Sequence, residues 1–190
     1  LDSDPVGYWK FEDDLDGSDV SGLSAIPVGS PGYAAGKIGR ALSLTVPVVT
    51  DQWAAIPASS AASFGGDVTV SQWLYRTGAY GTYCVLWGDF STPQRNLYIV
   101  VNSPTGTLGA NTGTGGAADF GWTFYQPASV DSFPLNTWTH YCIVRSGTNF
   151  LMYVNGVLVT SASIAGYTGG STTNQVGIGG TLNYGAGGVH

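Results

Sequence analysis

The segment FLMYVNGVLVTSA, residues 150–162, decides the fold. Two apolar runs flank Asn155-Gly156. An Asn-Gly pair favours a type I′ turn, because both central residues need positive φ and the resulting twist matches that of the flanking strands. The segment therefore predicts a β-hairpin. The stretch before it, TWTHYCIVR at 137–145, is rich in branched and aromatic residues and also reads as a strand.

Outward from the hairpin the periodicity stays close to two. In DVTVSQWLYR, residues 67–76, Val68, Val70 and Leu74 fall on one face. Thr69, Ser71, Trp73 and Tyr75 fall on the other. This predicts a strand buried on one side and aromatic-polar on the other. NLYIVV at 96–101 is β-like, and shorter β segments are expected at 6–11, 38–44, 52–56, 82–87, 120–125 and 175–179. No apolar stripe at helical spacing persists for three turns. The best helical candidate, 58–64, has room for a turn or two. Residues 102–118, rich in Gly, Thr and Asn, read as a long loop with one weak strand. Many short strands separated by Gly, Ser, Thr, Pro and Asn predict an all-β, antiparallel two-sheet sandwich or jelly roll.

Composition narrows the function. At 190 residues the chain fits one domain, 1–190. Charged residues make up 9%, against roughly 25% in an ordinary domain. Two lysines and one glutamate exclude a coiled coil or helical bundle. An aromatic content of 13% excludes generic disorder. The net charge is −6, and Lys10, Lys37, Arg40, Arg76, Arg95 and Arg145 are the cations. Nucleic-acid binding needs a basic stripe, which this balance does not supply. The same deficit disfavours anionic membranes. No run of about 18 apolar residues predicts a membrane-inserting helix. With no initiator Met or signal peptide, the chain reads as processed or cut from something longer. Cys84 and Cys142 leave one disulfide or two free thiols open.

The catalytic alternatives are thin. Glycoside hydrolysis needs two carboxylates about 5–10 Å apart. Glu12 is the sole glutamate, and Asp89 and Asp119 are isolated. His140 lies within a strand and His190 at the chain end, so no Ser-His-Asp arrangement is suggested. His140 and Cys142 share a strand face and could bind zinc together with Cys84, but the pattern lacks a fourth zinc ligand. The reading is a non-enzyme.

Two features point to binding. Glu12, Asp13, Asp14, Asp16 and Asp19 crowd into eight residues with Gly17 as a turn former. Crowded carboxylates repel, and calcium, with its loose shell of oxygen ligands, offsets them. Asp14, Asp16 and Asp19 are the candidate ligands. The competing reading is a solvated acidic turn beside Lys10. The second feature is aromatic. A flat ring stacks on the C–H face of a sugar while Asp or Asn side chains take its hydroxyls. Trp87, Asp89 and Asn96 span what reads as one loop, and Trp122 and Tyr125 lie near Gly- and Thr-rich stretches. Trp9, Trp73 and Trp138 fall inside strand patterns and read as core or sheet-face residues.

Three blocks then line up in order. They are VGYWKFEDDLDGSDVSG (6–22) with GKIGRALSL (36–44), DVTVSQWLYRTG (67–78), and NTWTHYCIVRSGTNFLMYVNGVLV (136–159) followed by VGIGG (176–180). Together they resemble the laminin G-like, concanavalin A-like jelly-roll family. The resemblance implies two curved antiparallel sheets packed face to face, with rim loops that bind calcium or glycan. Asp19-x-Ser21-Gly22 resembles the family's early Asp-x-Ser-Gly loop. The family's closing Gly-x-Ile-Asp strand is not seen before His190. The chain therefore reads as a fragment of a longer polypeptide, or as a domain whose edge another chain completes. The Trp-Thr-His and Val-Arg-Ser-Gly-Thr wording resembles modules of bacteriophage virion surface proteins.

The expected function is a non-catalytic module recognising glycan or another cell-surface polymer. Its expected place is the extracellular space or a virion surface. A structural virion decoration, packed against neighbouring subunits, is the first alternative, and a glycoside hydrolase is the second.

Overall fold

The computed structural model describes residues 7–12, 24–44, 52–57, 66–78, 83–89, 97–102, 106–111, 133–165, 176–179 and 181–182. Among them there is no helix. The candidate helix at 58–64 and the candidate strand at 120–125 lie outside the described residues.

The hairpin forms as its sequence dictates. β10 (Asn149–Val154) and β11 (Val157–Ser163) pair antiparallel around Asn155-Gly156. Both turn residues carry positive φ, 49° and 79°. β9 (Trp138–Ser146) pairs with the other edge of β10, and β5 (Val68–Tyr75) pairs with β9. The result is a four-stranded sheet in the order β11-β10-β9-β5. The turn between β9 and β10 is secured from a distance. The Gly147 amide donates to Asp67 Oδ1 at 2.7 Å, so the Arg-Ser-Gly wording closes against the residue that precedes β5.

The second sheet gathers strands from both ends of the chain. β1 (Ile26–Val28), β4 (Trp53–Ile56), β6 (Tyr83–Asp89), β7 (Tyr98–Asn102), β8 (Thr107–Asn111) and β12 (Val176–Ile178) lie in the order β1-β4-β12-β6-β7-β8. β13 (Thr181–Leu182) continues the β12 register along β6 after Gly179, whose φ is 78°. β2 (Gly32–Ala35) and β3 (Arg40–Ser43) form a separate two-stranded hairpin. β8 is the weak strand expected within 102–118, and it is well buried at Leu108 and Ala110. The β segment expected at 6–11 is reduced to a bridge at Trp9.

One core lies between the sheets. Val70, Tyr141, Ile143, Phe150 and Met152 of the four-stranded sheet meet Leu86, Trp87, Ile99 and Val101 of the other. Burying one such aliphatic or aromatic side chain is worth about 1.5–3 kcal/mol. Tyr141 is wholly buried and its hydroxyl donates to Gln72 Oε1 at 2.8 Å, so its polar end is satisfied. Arg145, also buried, donates through Nε to the Gly66 carbonyl at 2.9 Å.

The two sheets differ in their outer faces. In the centre of the larger sheet Ala55, Val85, Tyr98 and Val100 are buried although they lie off the core cluster. Its inner strands are thus covered on both sides, and their sequences run apolar without alternation. Packing there is close enough to require Gly88, where a Cβ would stand 2.6 Å from the Tyr98 ring. The four-stranded sheet alternates instead. Along β9 the residues read half-buried, buried, half-buried, buried, so one face meets the core and the other meets solvent.

Candidate functional site

The open face of the four-stranded sheet is built by register. β5 and β9 pair with Trp73 opposite His140 and Tyr75 opposite Trp138. Directly opposed residues on one face of an antiparallel pair have Cβ atoms about 4.5–5.5 Å apart, so their rings meet. The Trp73 and His140 centroids are 5.1 Å apart, and those of Tyr75 and Trp138 are 5.2 Å apart. Trp73 is 40% exposed and Tyr75 41%. Two cross-strand aromatic pairs therefore lie side by side, two residues apart along each strand. Such half-exposed rings keep an apolar face in reach of a ligand.

Polar groups border the rings. Ser71 Oγ and His140 Nε2 are hydrogen-bonded at 2.8 Å. Burial lowers the His140 pKa from its ordinary value, because desolvation penalises the imidazolium. The imidazole is therefore neutral near pH 7. The strand position of His140 is fixed from the hairpin turn. Its amide donates to Asn155 Oδ1 at 3.0 Å, and its carbonyl accepts from the Asn155 amide at 2.8 Å. Lys37, on the turn between β2 and β3, places Nζ 5.3 Å from the centre of the Trp73 ring. Cys142, next on this face beyond His140, is a half-buried free thiol, and burial raises its pKa.

The binding residues expected from sequence fare differently. Trp87 and Asp89 do not lie in a loop but in β6. Trp87 is 6% exposed and packs against Trp9 at a centroid distance of 5.8 Å, so its ring belongs to the core and is not open to a sugar. The reason is the hidden continuity of β6, in which Gly88 reads as a loop residue but serves close packing. The backbone of Asp89 pairs with Val176. Its side chain lies outside the description, as do Asn96, Trp122 and Tyr125. The calcium candidates Asp14, Asp16 and Asp19 are also outside the described residues. Among the described residues no group of three or more His, Cys, Asp or Glu could hold a metal. Glu12, at the start of the acidic stretch, accepts from the Arg40 amide at 3.1 Å.

The alternation of 67–76 puts Trp73, Tyr75 and Ser71 together on the non-core face of β5. Nothing in that segment joins them to Trp138 and His140, because the pairing register is a tertiary fact.

Residues 49–188 match the sequence profile of the concanavalin A-like lectin/glucanases superfamily. The chain belongs to this superfamily. Comparison with curated protein sequences finds no significant match. Among solved structures, this lectin-like domain is similar to domain 4 of AbnA, an extracellular arabinanase from Geobacillus stearothermophilus, in complex with arabinotriose. The TM-score is 0.66 at 18% identity, over 91% of this chain and 82% of that one. It is also similar to the binding domain of Paraclostridial Mosquitocidal Protein 1, with TM-score 0.68 at 15% identity over 94% and 44% of the two chains. A third similar structure is botulinum neurotoxin type C, whose cell entry depends on two ganglioside molecules. Its TM-score is 0.66 at 11% identity over 98% and 45%. The chain spans under half the length of the two toxin chains. At these identities the likenesses establish the concanavalin A-like fold.

Proposed function

We propose that this domain is a non-catalytic carbohydrate-recognition module of an extracellular or virion-surface protein, and that it binds glycan on the open face of β5 and β9. The observation that carries the reading is the double aromatic pair, Trp73–His140 and Tyr75–Trp138, half-exposed on a strand face. Stacked rings take the C–H faces of sugar rings, and Ser71, Tyr75 and His140 offer hydrogen bonds beside them. Membership of a lectin-like superfamily supports it. So do a similar domain complexed with arabinotriose and a similar toxin chain that interacts with gangliosides. Glu12 and Asp67 direct carboxylate oxygens at backbone amides, which suits structural rather than acid–base duty.

A glycan array with the whole chain tests the reading, with wild type and the double variant Trp73→Ala/Tyr75→Ala compared. Binding by wild type and its loss in the variant are expected. Undiminished binding by the variant, or none by folded wild type, overturns it. The same array run with and without a chelator tests the calcium expectation for Asp14, Asp16 and Asp19. The second reading, a virion decoration packed on neighbouring subunits, is favoured by the uncharged strand β11, where Val157 and Leu158 are exposed.

A further inference from the structure

The glycan-binding reading leaves the class of sugar open, and the chemistry of the aromatic face bears on it. Resting on that reading, we propose that the ligand carries a carboxylate, as uronic and sialic acids do, and that Lys37 is the residue that selects it.

The outward positions of β5 and β9 are Thr, Ser, Trp, Tyr, His, Cys and Val, with no carboxylate and no side-chain amide among them. Indole N–H and ammonium groups donate only, whereas hydroxyls donate and accept. Trp73, Trp138 and Lys37 therefore tilt the face towards donors. A neutral sugar ring presents many hydroxyl protons that need acceptors. A carboxylate instead offers about four lone-pair sites and no proton.

Lys37 adds charge to that imbalance. It is exposed on the β2–β3 turn, which is closed by a bond from the Gly36 amide to the Gly39 carbonyl at 2.8 Å. Its ammonium lies beside the Trp73 ring and forms no ion pair among the described residues. The nearby carboxylate of Glu12 is turned onto the Arg40 amide, and Asp67 is held by the Gly147 amide. Among the described residues, one cation thus stands over a half-exposed ring with no carboxylate paired to it. The net charge of −6 opposes an anionic ligand at long range. Such fields are screened over about 10 Å at 0.1 M salt, whereas a direct ammonium–carboxylate contact is not. Selection is accordingly expected at contact, with no electrostatic acceleration of the encounter.

The test uses matched pairs of probes, oligogalacturonate against its methyl ester, and sialyllactose against lactose. Binding is measured by titration calorimetry on wild type, Lys37→Met, Lys37→Glu and Trp73→Ala, with circular dichroism as the folding control. Lys37 is exposed on a turn, so its variants are expected to fold. In at least one pair the acid should bind about tenfold tighter than its neutral partner, as one charge-assisted hydrogen bond provides. The pair that responds separates uronate from sialate. Lys37→Met should erase the difference, and Lys37→Glu should reverse it. Equal binding of acid and neutral partner by wild type overturns the inference, as does a preference that survives Lys37→Met. In either case neutral-sugar binding abolished by Trp73→Ala leaves the glycan-binding reading standing. If folded wild type binds none of the four probes, the inference falls, while the glycan-binding reading is decided by the array.

Discussion

Ser71 and His140 are hydrogen-bonded at 2.8 Å across β5 and β9, and the same imidazole packs at a 55° tilt against Trp73, the residue registered opposite it. The bond and the ring contact hold the imidazole from two sides. The Asn155 side chain and backbone fix its strand position from the turn. The face is therefore ordered before any ligand arrives, which lowers the entropic cost of binding.

Removing the rings should separate binding from folding. Trp73 and Tyr75 are half-exposed, and a cross-strand pair contributes roughly 0.2–1 kcal/mol to a sheet. Trp73→Ala should lower stability by about that amount in a urea titration. In the same variant glycan affinity should fall by about tenfold or more, as expected for loss of a stacking contact worth about 1.5 kcal/mol.

Acid should weaken the fold through His140. Its folded pKa lies below the ordinary 6.5, so the unfolded chain takes the proton first as pH falls. The stabilisation is present above about 6.5 and is lost as the pH drops from there through the folded value. Thermal melts from pH 7.5 to 5 should show this slope in wild type and a shallower one in His140→Gln.

Base should weaken it through the next two residues of β9. Burial raises Cys142 above its ordinary 9.0 and Tyr141 above its ordinary 10.0, with the neighbouring thiolate adding to the Tyr141 shift. The unfolded chain loses these protons first, so stability should fall as pH rises beyond about 9. Melts between pH 8 and 11 check the sign. In Cys142→Ser the decline should begin nearer pH 10.

Asn155 should be costly to replace. It combines a φ of 49° with a side-chain acceptor for the His140 amide. Asn155→Ala loses both the left-handed tolerance and the bond, for about 1–3 kcal/mol. Asn155→Gly restores the backbone freedom alone and should recover part of the loss. Chemical denaturation of the two variants separates the contributions.

Thr139 offers the opposite outcome. Its hydroxyl is buried on the core side of β9 and has no hydrogen-bond partner among the described residues. Thr139→Val keeps the shape and removes the unsatisfied group. Stability should stay level or rise by up to about 1 kcal/mol, read as a higher urea midpoint at unchanged slope.

Much of this architecture is legible in local sequence, and the reasons are specific. Asn155-Gly156 names its own turn. The alternation of 68–75 sorts core from solvent without reference to any other strand. β3 falls within the segment expected at 38–44, whereas its partner β2 is not legible, because Tyr33 stands among small residues and carries little periodicity. Trp87 misled because Gly88 and Asp89 resemble a loop, whereas Gly88 is demanded by the Tyr98 ring. The aromatic face was half legible. Each strand shows its own outward residues, but the juxtaposition of Trp73 with His140 depends on a register that no single segment encodes.

That register has a consequence for how the domain can be handled. The two halves of the face come from strands whose paired residues Ser71 and His140 lie 69 positions apart. Neither half exists as a surface in a peptide cut from either strand, and closing so long a loop makes the β5–β9 pairing a slow, late kind of event. Sugar binding is thus a conformational reporter. A preparation that retains the hairpin but has not joined β5 to it will look substantially β-structured and yet be silent in a binding assay.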